Sequence, residues 1–176
     1  MFDTSENNII IRDARKEDMR AVAKMIQEHA NLQLMQNEPK LTVKELEYDG
    51  FERQPPAFRC KIAEDQADSV NSQVGYALYF PTYSAWYGAS MMLQDLYAQP
   101  EVQRYDVRER LFDAVAKEAV TSGSSCLDFH LLAWDRSNII YQGKGAQNIT
   151  KSEQWCFYRL SGQELRKAAQ SVTENP

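Results

Sequence analysis

Residues 74–86, VGYALYFPTYSAW, are the stretch of this sequence that says most about its fold. Aliphatic and aromatic side chains at residues 73–80 predict a β-strand. The polar stretch at residues 65–72 predicts a hairpin loop back to a preceding strand at residues 57–64. The aromatic turn that closes the quoted stretch leads into a third predicted strand at residues 89–98. Three consecutive strands with short connections favour an antiparallel meander.

Helices and further strands are predicted on both sides of this meander. Apolar residues at helical spacing predict one helix from Glu17 to about Met35 and another after Pro100 that ends at Gly123. Together the elements predict an α/β fold, a mixed central sheet flanked by helices. The remaining predicted elements are a strand at 8–12, a helix at 41–48, a strand at 125–132, a helix at 137–142, a strand at 154–160 and a polar C-terminal helix.

Length and charge restrict the class of protein. A chain of 176 residues suits one domain, predicted at residues 8–170 between a disordered tail at 1–7 and a C-terminal tail at 171–176. A net charge of −5 argues against general binding to nucleic acid or anionic membranes. The polar N-terminus and the lack of a long apolar run predict an intracellular, cytoplasmic protein, with the nucleus left open.

Cysteine and histidine usage argues against a disulfide framework and a metal site. Cys60, Cys126 and Cys156 are too scattered for disulfide pairing, so we expect them to behave as small apolar residues. Two histidines without clustered cysteines make a structural zinc site improbable. We expect His29 on the surface of the first helix and His130 packed or at a strand edge.

Several segments along the chain match one known family. They are residues 11–14 (IRDA), 41–42 (LT), 49–51 (DGF), 74–80 with Thr82, Tyr83 and Trp86, 93–97 (LQDLY), 134–141, 145–146 (GA), Glu153 and Trp155. These segments resemble the GCN5-related N-acetyltransferase (GNAT) superfamily, in its diamine (spermidine/spermine) and thialysine N-acetyltransferase branch. The resemblance covers the chain from about residue 9 to about residue 170. It implies the GNAT fold, in which the meander is followed by a parallel strand.

The resemblance also implies acetyl-CoA as cosubstrate. The backbone of Leu96, Tyr97 and Ala98 corresponds to the splayed strand that pairs with the pantetheine arm, and Asp135 replaces an asparagine near that arm. The family's phosphate loop, Arg/Gln-x-x-Gly-x-Gly/Ala, uses glycines so that backbone amides approach the pyrophosphate. Here residues 103–110, QRYDVRER, contain no glycine, and Asp106 takes a glycine position.

Arginines in this loop have two interpretations. Arg104 and Arg108, with Arg110, could bind phosphates directly. They could instead be solvated residues at the start of a helix, paired with Glu101 and Glu109.

The resemblance implies changes in the acid–base residues as well. Gln94 stands where the family has a catalytic glutamate, and a carboxamide cannot accept a proton at useful pH. Asp95 follows it, but strand alternation points this carboxylate to the opposite face. Tyr141 corresponds to the tyrosine that protonates the leaving thiolate, although its ring could equally be kept for packing.

The contacts to a cationic substrate change too. Gln33 replaces the expected carboxylate near the first helix, so of the acidic contacts implied by the family only Glu153 remains. Asp95, which directly follows Gln94, is predicted near the substrate in addition to these family contacts.

Three changes on one reaction path favour an inactive, diamine-acetyltransferase-like protein that works by binding. We expect it to act as a homodimer or with a protein partner. The aromatic residues near Trp86 could belong to the dimer interface, to the core or to a substrate groove. One alternative is an active acetyl-CoA-dependent N-acetyltransferase for an amine other than a classical polyamine. Another is an acyl-CoA sensor without turnover.

Overall fold

The computed structural model describes residues 8–67, 72–135 and 138–170, with the backbone alone at residues 103–105. It forms two compact units, Met1–His130 and Leu131–Pro176, which are described separately below. The predicted tails at residues 1–7 and 171–176 lie outside the described residues. The single domain at residues 8–170 stays a prediction.

A five-stranded sheet forms the centre of the first unit. Its strands follow the sheet order β1 to β5, and the first four pair antiparallel while β5 runs parallel to β4. The predicted meander and the mixed α/β sheet are therefore confirmed. The strands are β1 (Ile9–Asp13), β2 (Arg59–Asp65), β3 (Gln73–Ser84), β4 (Gly88–Ala98) and β5 (Leu127–Phe129).

The long helices cover opposite faces of this sheet. Helix α1 (Met19–Leu32) buries Met19, Val22 and Met25 in one core with Tyr76 and Tyr97. Helix α3 (Val107–Thr121) buries the predicted stripe that begins at Val107 and Leu111. Its Leu111 approaches β3 at Gly75, and alternation along β3 places Gly75 and Tyr76 on opposite faces. Both predicted helices are therefore confirmed, and each is amphipathic because only one side meets the sheet.

A short helix and two irregular turns complete the first unit. Helix α2 (Val43–Glu47) begins at Thr42, whose hydroxyl accepts from the Glu45 amide while the Glu45 carboxylate accepts from the Thr42 amide. This reciprocal capping box satisfies two amides at the helix start. A π turn (Tyr48–Glu52) follows α2, and 3-10 turns occupy Lys16–Asp18 and Pro100–Tyr105.

Arg12, within the IRDA segment, joins β1 to the start of α1. Its Nη1 and Nη2 donate to the two carboxylate oxygens of Asp18 at 2.7 and 2.9 Å, and its Nε contacts Glu64 of β2. The Arg15 amide also donates to Asp18, at 2.6 Å. Asp18 is almost fully buried, so this paired network fixes where α1 leaves the sheet.

The second unit contains three short helices. They are α4 (Asn138–Gly143), α5 (Ile149–Glu153) and α6 (Gly162–Gln170). Helix α4 confirms the predicted short helix, and α6 confirms the C-terminal one. The predicted strand at residues 154–160 is wrong, since these residues join no strand of the described sheet. None of the described helices is long and apolar enough to span a bilayer.

Candidate active site

A β-bulge at Gln94 interrupts the pairing of β3 with β4. Leu93 pairs with Tyr79 and Asp95 pairs with Leu78, so Gln94 is the extra residue on β4. On the other side, β5 pairs only with residues 91–93 of β4. Beyond the bulge, no described strand pairs with this edge of residues 94–98. Bulges of this kind bend a strand. The pairing of β4 with β3 continues past the bulge to Ala98, whereas the pairing of β4 with β5 ends at Leu93.

Three donors contact the carboxylate of Asp95, directly after the bulge. Nδ1 of His29 on α1 lies 2.9 Å from Oδ1, the Leu96 amide donates to Oδ1 at 3.0 Å, and the Tyr76 hydroxyl donates to Oδ2. Burial first, and then Asp95, raises the pKa of Tyr76 well above its ordinary value. The Tyr76 hydroxyl therefore keeps its proton and holds the carboxylate toward α1.

His29 links Asp95 to the end of α1. Its Nε2 lies 2.9 Å from the side-chain nitrogen of Gln33, and its ring stacks on Tyr97 with 5.1 Å between ring centroids. The imidazole is 17% exposed, so the prediction of a surface histidine is wrong. His29 lies four residues after Met25 and extends the buried stripe of α1 toward β4.

Tyr97 forms part of a cavity of about 560 Å³ between α1 and the residues after β4. The carboxylates of Glu28 and Glu101 and the ammonium of Lys24 also line this cavity. The Tyr97 hydroxyl donates to Glu28 at 3.4 Å. Burial first, and then Glu28, raises the pKa of Tyr97 to about 12, so the phenol stays protonated at neutral pH. The cavity thus combines an aromatic wall with two carboxylates, of which Glu28 is paired with Lys24, so the negative charge exceeds the positive charge and suits a cationic group.

The turn before α3 keeps a glycine-like backbone without glycine. Asp106 is the N-cap of α3 and has φ 52° and ψ 28°, in the left-handed region that favours glycine. Placing a residue with a side chain there costs about 1 kcal/mol. The exposed carboxylate also adds negative charge at the start of a helix, where a phosphate would otherwise meet the amides.

The predicted cofactor-binding residues of the first unit have different environments. The side chains of Leu96 and Ala98 are buried, so these residues could meet a cofactor only through their backbone. Arg108 is half-buried on the first turn of α3. The side chain of Arg104 lies outside the described residues. Arg110 donates to the Ile9 carbonyl at 2.6 Å, which ties α3 to β1.

Three predicted site residues belong to the second unit. Asp135 forms the turn before α4, since its carbonyl accepts from the Asn138 side chain at 2.6 Å. Tyr141 on α4 is 3% exposed, and its carbonyl accepts from the Ala146 amide at 3.0 Å. Glu153 ends α5 and accepts from the Trp155 indole at 2.7 Å. Each backbone or side-chain contact named here lies within the second unit.

Of the predicted residues, the structure brings Gln33, Asp95 and Tyr97 together around His29. Sequence reasoning missed His29 itself. The helical spacing from Val22 through Met25 to His29 could have placed it on the buried face of α1. Its partner on β4 could not be found this way, because the bulge at Gln94 leaves no mark in the residue pattern. Among the described residues no cluster of ligands could hold a metal ion.

Comparisons with known proteins place the chain in a family. A scan against family models finds no match. The mouse (Mus musculus) thialysine N-epsilon-acetyltransferase is 32% identical over 90% of this chain and 96% of the relative. The chain belongs to the diamine and thialysine acetyltransferase branch of the GNAT superfamily. The human (Homo sapiens) spermidine/spermine N(1)-acetyltransferase-like protein 1 is 30% identical over 94% of this chain, which is 24% of that longer protein.

A solved structure supports the same fold. An aminoglycoside acetyltransferase from an uncultured soil metagenomic sample, in complex with sisomicin, superimposes with a TM-score of 0.67 at 14% identity. The alignment covers 90% of this chain and 99% of that structure. At this identity the likeness concerns the fold alone, and it agrees with the mixed sheet of the GNAT proteins.

Proposed function

We propose that this chain is an acetyl-CoA-dependent N-acetyltransferase for an amine other than a classical polyamine. The observation that carries the proposal is the edge of β4 at residues 94–98, which no described strand covers, beside the Asp95 cluster. An extended molecule with amide groups can pair with such an edge as an added strand would. Acetyl-CoA, when bound, would supply the activated acetyl group.

The residues present fit such a cosubstrate in part. The backbone of Leu96, Tyr97 and Ala98 would hold the pantetheine arm, although the Leu96 amide already donates to Asp95. The left-handed turn at Asp106 keeps the backbone path that leads into α3, whose first amides favour an anion. The Asp106 carboxylate opposes the phosphates, so we expect weaker binding than a glycine would allow.

The amine substrate would differ from a polyamine because its acidic contacts are different. The relatives are named for thialysine and for spermidine or spermine. Gln33 is neutral and contacts His29 instead of presenting a charge. Glu28 and Glu101 in the cavity beside Tyr97 would take over the attraction for a cationic group.

A second candidate function is a binding module without turnover. Two observations favour it: Gln94 is an exposed carboxamide at the bulge, and Asp106 places a negative charge at the start of α3, where the family resemblance implies the phosphates of the cosubstrate. In this case the fold would serve a protein partner. A sensor that binds acyl-CoA without acetyl transfer lies between the two functions.

Calorimetry with acetyl-CoA tests the proposal. We expect micromolar to submillimolar binding, and the Asp106→Asn variant should bind about fivefold tighter because one nearby negative charge is removed. The matched control is Asp113→Asn, which removes the same charge from the exposed side of α3 farther from its start and should leave the affinity unchanged. Absence of heat at millimolar acetyl-CoA would exclude the enzyme and the sensor and leave the binding module.

Turnover is tested separately, by mass spectrometry on a panel of amines. We expect acetylation of at least one amine by the unmodified protein, and a faster reaction with Gln94→Glu because the carboxylate can accept a proton. Binding of acetyl-CoA without acetylation of any amine would identify the sensor and contradict the proposed enzyme.

A further inference from the structure

The contacts of His29 point to a role in proton transfer. Nδ1 of the imidazole lies 2.9 Å from Oδ1 of Asp95, where an N–H group can donate a hydrogen bond to the carboxylate, and the second ring nitrogen, Nε2, is directed away from it. We propose that Nε2 of His29 is the general base that removes a proton from the attacking amine, in place of the carboxylate that Gln94 lacks. This inference rests on the proposed function, because a base is needed only if acetyl transfer occurs.

The hydrogen bonds on the two ring nitrogens agree on one tautomer. The Gln33 side-chain nitrogen lies 2.9 Å from Nε2, and an amide NH₂ group can only donate. With the Gln33 nitrogen in this position Nε2 is the acceptor, and Nδ1 carries the proton and donates it in a hydrogen bond to Asp95, with 2.9 Å between Nδ1 and Oδ1. A neutral imidazole held in this tautomer has its basic nitrogen ready for a proton.

Gln33 also shows where an amine would meet the base. Its NH₂ group donates to Nε2 at a distance that suits a substrate nitrogen in the same place. Gln33 lies at the C-terminal end of α1, next to Leu34, which is 81% exposed. The Gln33 side chain can therefore swing toward solvent and give its position to the substrate.

The residues around His29 hold the ring in place and determine which charges lie near it. Tyr97 stacks on one face of the imidazole, and Tyr76 holds the second oxygen of Asp95. Of the charged and titratable groups around the ring, Asp95 and Tyr97 contact it directly. Tyr76 reaches it only through Asp95, and Glu28 of α1 only through Tyr97. Glu28 is also paired with Lys24 at 3.7 Å. Both tyrosines stay protonated at neutral pH, so they add no charge beside the ring.

The proton and electron balance of the step is complete. Nε2 of neutral His29 takes one proton from the substrate ammonium, and the freed nitrogen lone pair forms a C–N bond to the carbonyl carbon of the acetyl thioester. The C–S bond breaks and its electron pair leaves with the sulfur, while the nitrogen's surplus proton neutralises the thiolate. His29 then returns its own proton to solvent, so no other reactant is required.

Nitrogen NMR of isotope-labelled histidine tests the tautomer without any turnover. The chain has two histidines, so His130 is an internal reference and His130→Gln assigns the signals. We expect the neutral form of His29 to carry its proton on Nδ1, and Asp95→Ala to shift the population toward the Nε2–H form. A wild-type His29 protonated on Nε2 when neutral would overturn the inference, because that nitrogen would have no lone pair to use.

Kinetics of matched variants test the catalytic role. His29→Gln keeps a group that can donate to Asp95 but cannot take a proton, and it should lower kcat about a hundredfold with little change in the KM for acetyl-CoA. His130→Gln should keep wild-type kinetics. Added imidazole should restore part of the rate of His29→Ala, a result that a purely structural role would not produce.

The outcomes separate this inference from the proposed function. One outcome is that the wild-type protein and His29→Gln acetylate an amine equally fast, with thermal midpoints that show both to be folded. In that case His29 is not the base, and the proposed acetyltransferase function is retained. If the wild-type protein acetylates no amine, the proposed function fails and the base assignment fails with it. A folded but slow His29→Gln together with the Nδ1–H tautomer supports both.

Discussion

Gly75 on β3 is a position where one added carbon atom would disturb the candidate site. A Cβ there would lie 2.9 Å from the Tyr97 carbonyl oxygen and 3.2 Å from Cδ1 of Leu111. The carbonyl belongs to the backbone of β4, so it cannot move without shifting the strand that carries Asp95. The glycine thus permits close approach of the two strands beside the open edge.

We predict that Gly75→Ala lowers the free energy of unfolding by about 1–3 kcal/mol, because the new methyl group overpacks a backbone contact. Urea-induced unfolding measures this change. Gly143→Ala is the control, since a Cβ at Gly143 would meet no atom within 4 Å. Equal unfolding midpoints for the two variants would contradict the close packing at Gly75.

Single residues also show where sequence reasoning stops. The carboxamide at Gln94 and the missing glycine at Asp106 are visible in the sequence. The left-handed backbone of Asp106 is not, because most aspartates adopt other conformations and the residue type alone does not select this one. The contact of His29 with Asp95 joins residues 66 positions apart through the packing of α1 on β4, which no local pattern encodes.

At the scale of elements, the Arg12–Asp18 pair fixes the junction of β1 with α1. Burial alone would raise the pKa of Asp18, but the hydrogen bonds from Arg12 and from the Arg15 amide outweigh it, so the pKa is lowered. A lowered pKa means that the folded protein favours the charged carboxylate. Its stabilising effect is present above the pKa of the unfolded chain, about 3.9, and is lost as the pH falls through the folded value.

We predict that Asp18→Asn lowers the free energy of unfolding at neutral pH by about 3 kcal/mol, because it leaves Arg12 without its bidentate partner. The variant should also lose less stability than the wild-type protein between neutral and acidic pH. Chemical unfolding at several pH values measures both effects. Asp128→Asn, on the exposed face of β5, is the control. An acid dependence identical to that of the wild-type protein would contradict the role of Asp18.

Elements with a clear hydrophobic period could be predicted, and those that depend on partners could not. The meander and helices α1 and α3 follow from residue spacing alone. The segment at residues 154–160, QWCFYRL, has strand-like composition, but a strand also needs a neighbour with which to pair. Similarly, β5 has three residues and is shorter than the predicted strand at residues 125–132, because its pairing with β4 does not continue past the bulge.

At the scale of the whole molecule, the β3–β4 hairpin presents exposed aromatic side chains. Tyr83, Trp86 and Tyr87 are 81%, 69% and 63% exposed, whereas Tyr76 and Tyr79 on the same hairpin are buried. The sequence leaves core, interface and groove open for this cluster. The structure divides it into a buried part and an exposed tip that could pack against a second copy.

We propose a homodimer in which the hairpin tips contribute to the interface. Light scattering should give twice the 20.3 kDa mass of the chain, and Trp86→Ser should shift the protein toward the monomer. Trp155→Ser removes another exposed indole and should leave the dimer intact. A monomeric wild-type protein, or a Trp86→Ser variant that stays dimeric, would contradict this assignment.

The measurement that tests the central claim most directly is mapping of acetyl-CoA binding by backbone amide NMR. If the open edge of β4 holds the cosubstrate, saturable shifts should concentrate at residues 94–98 and at the first turn of α3, near Val107 and Arg108. Smaller changes are expected at the opposite edge of the sheet, in β1. Saturating acetyl-CoA that leaves residues 94–98 unshifted would contradict the assignment of this edge as the acetyltransferase site.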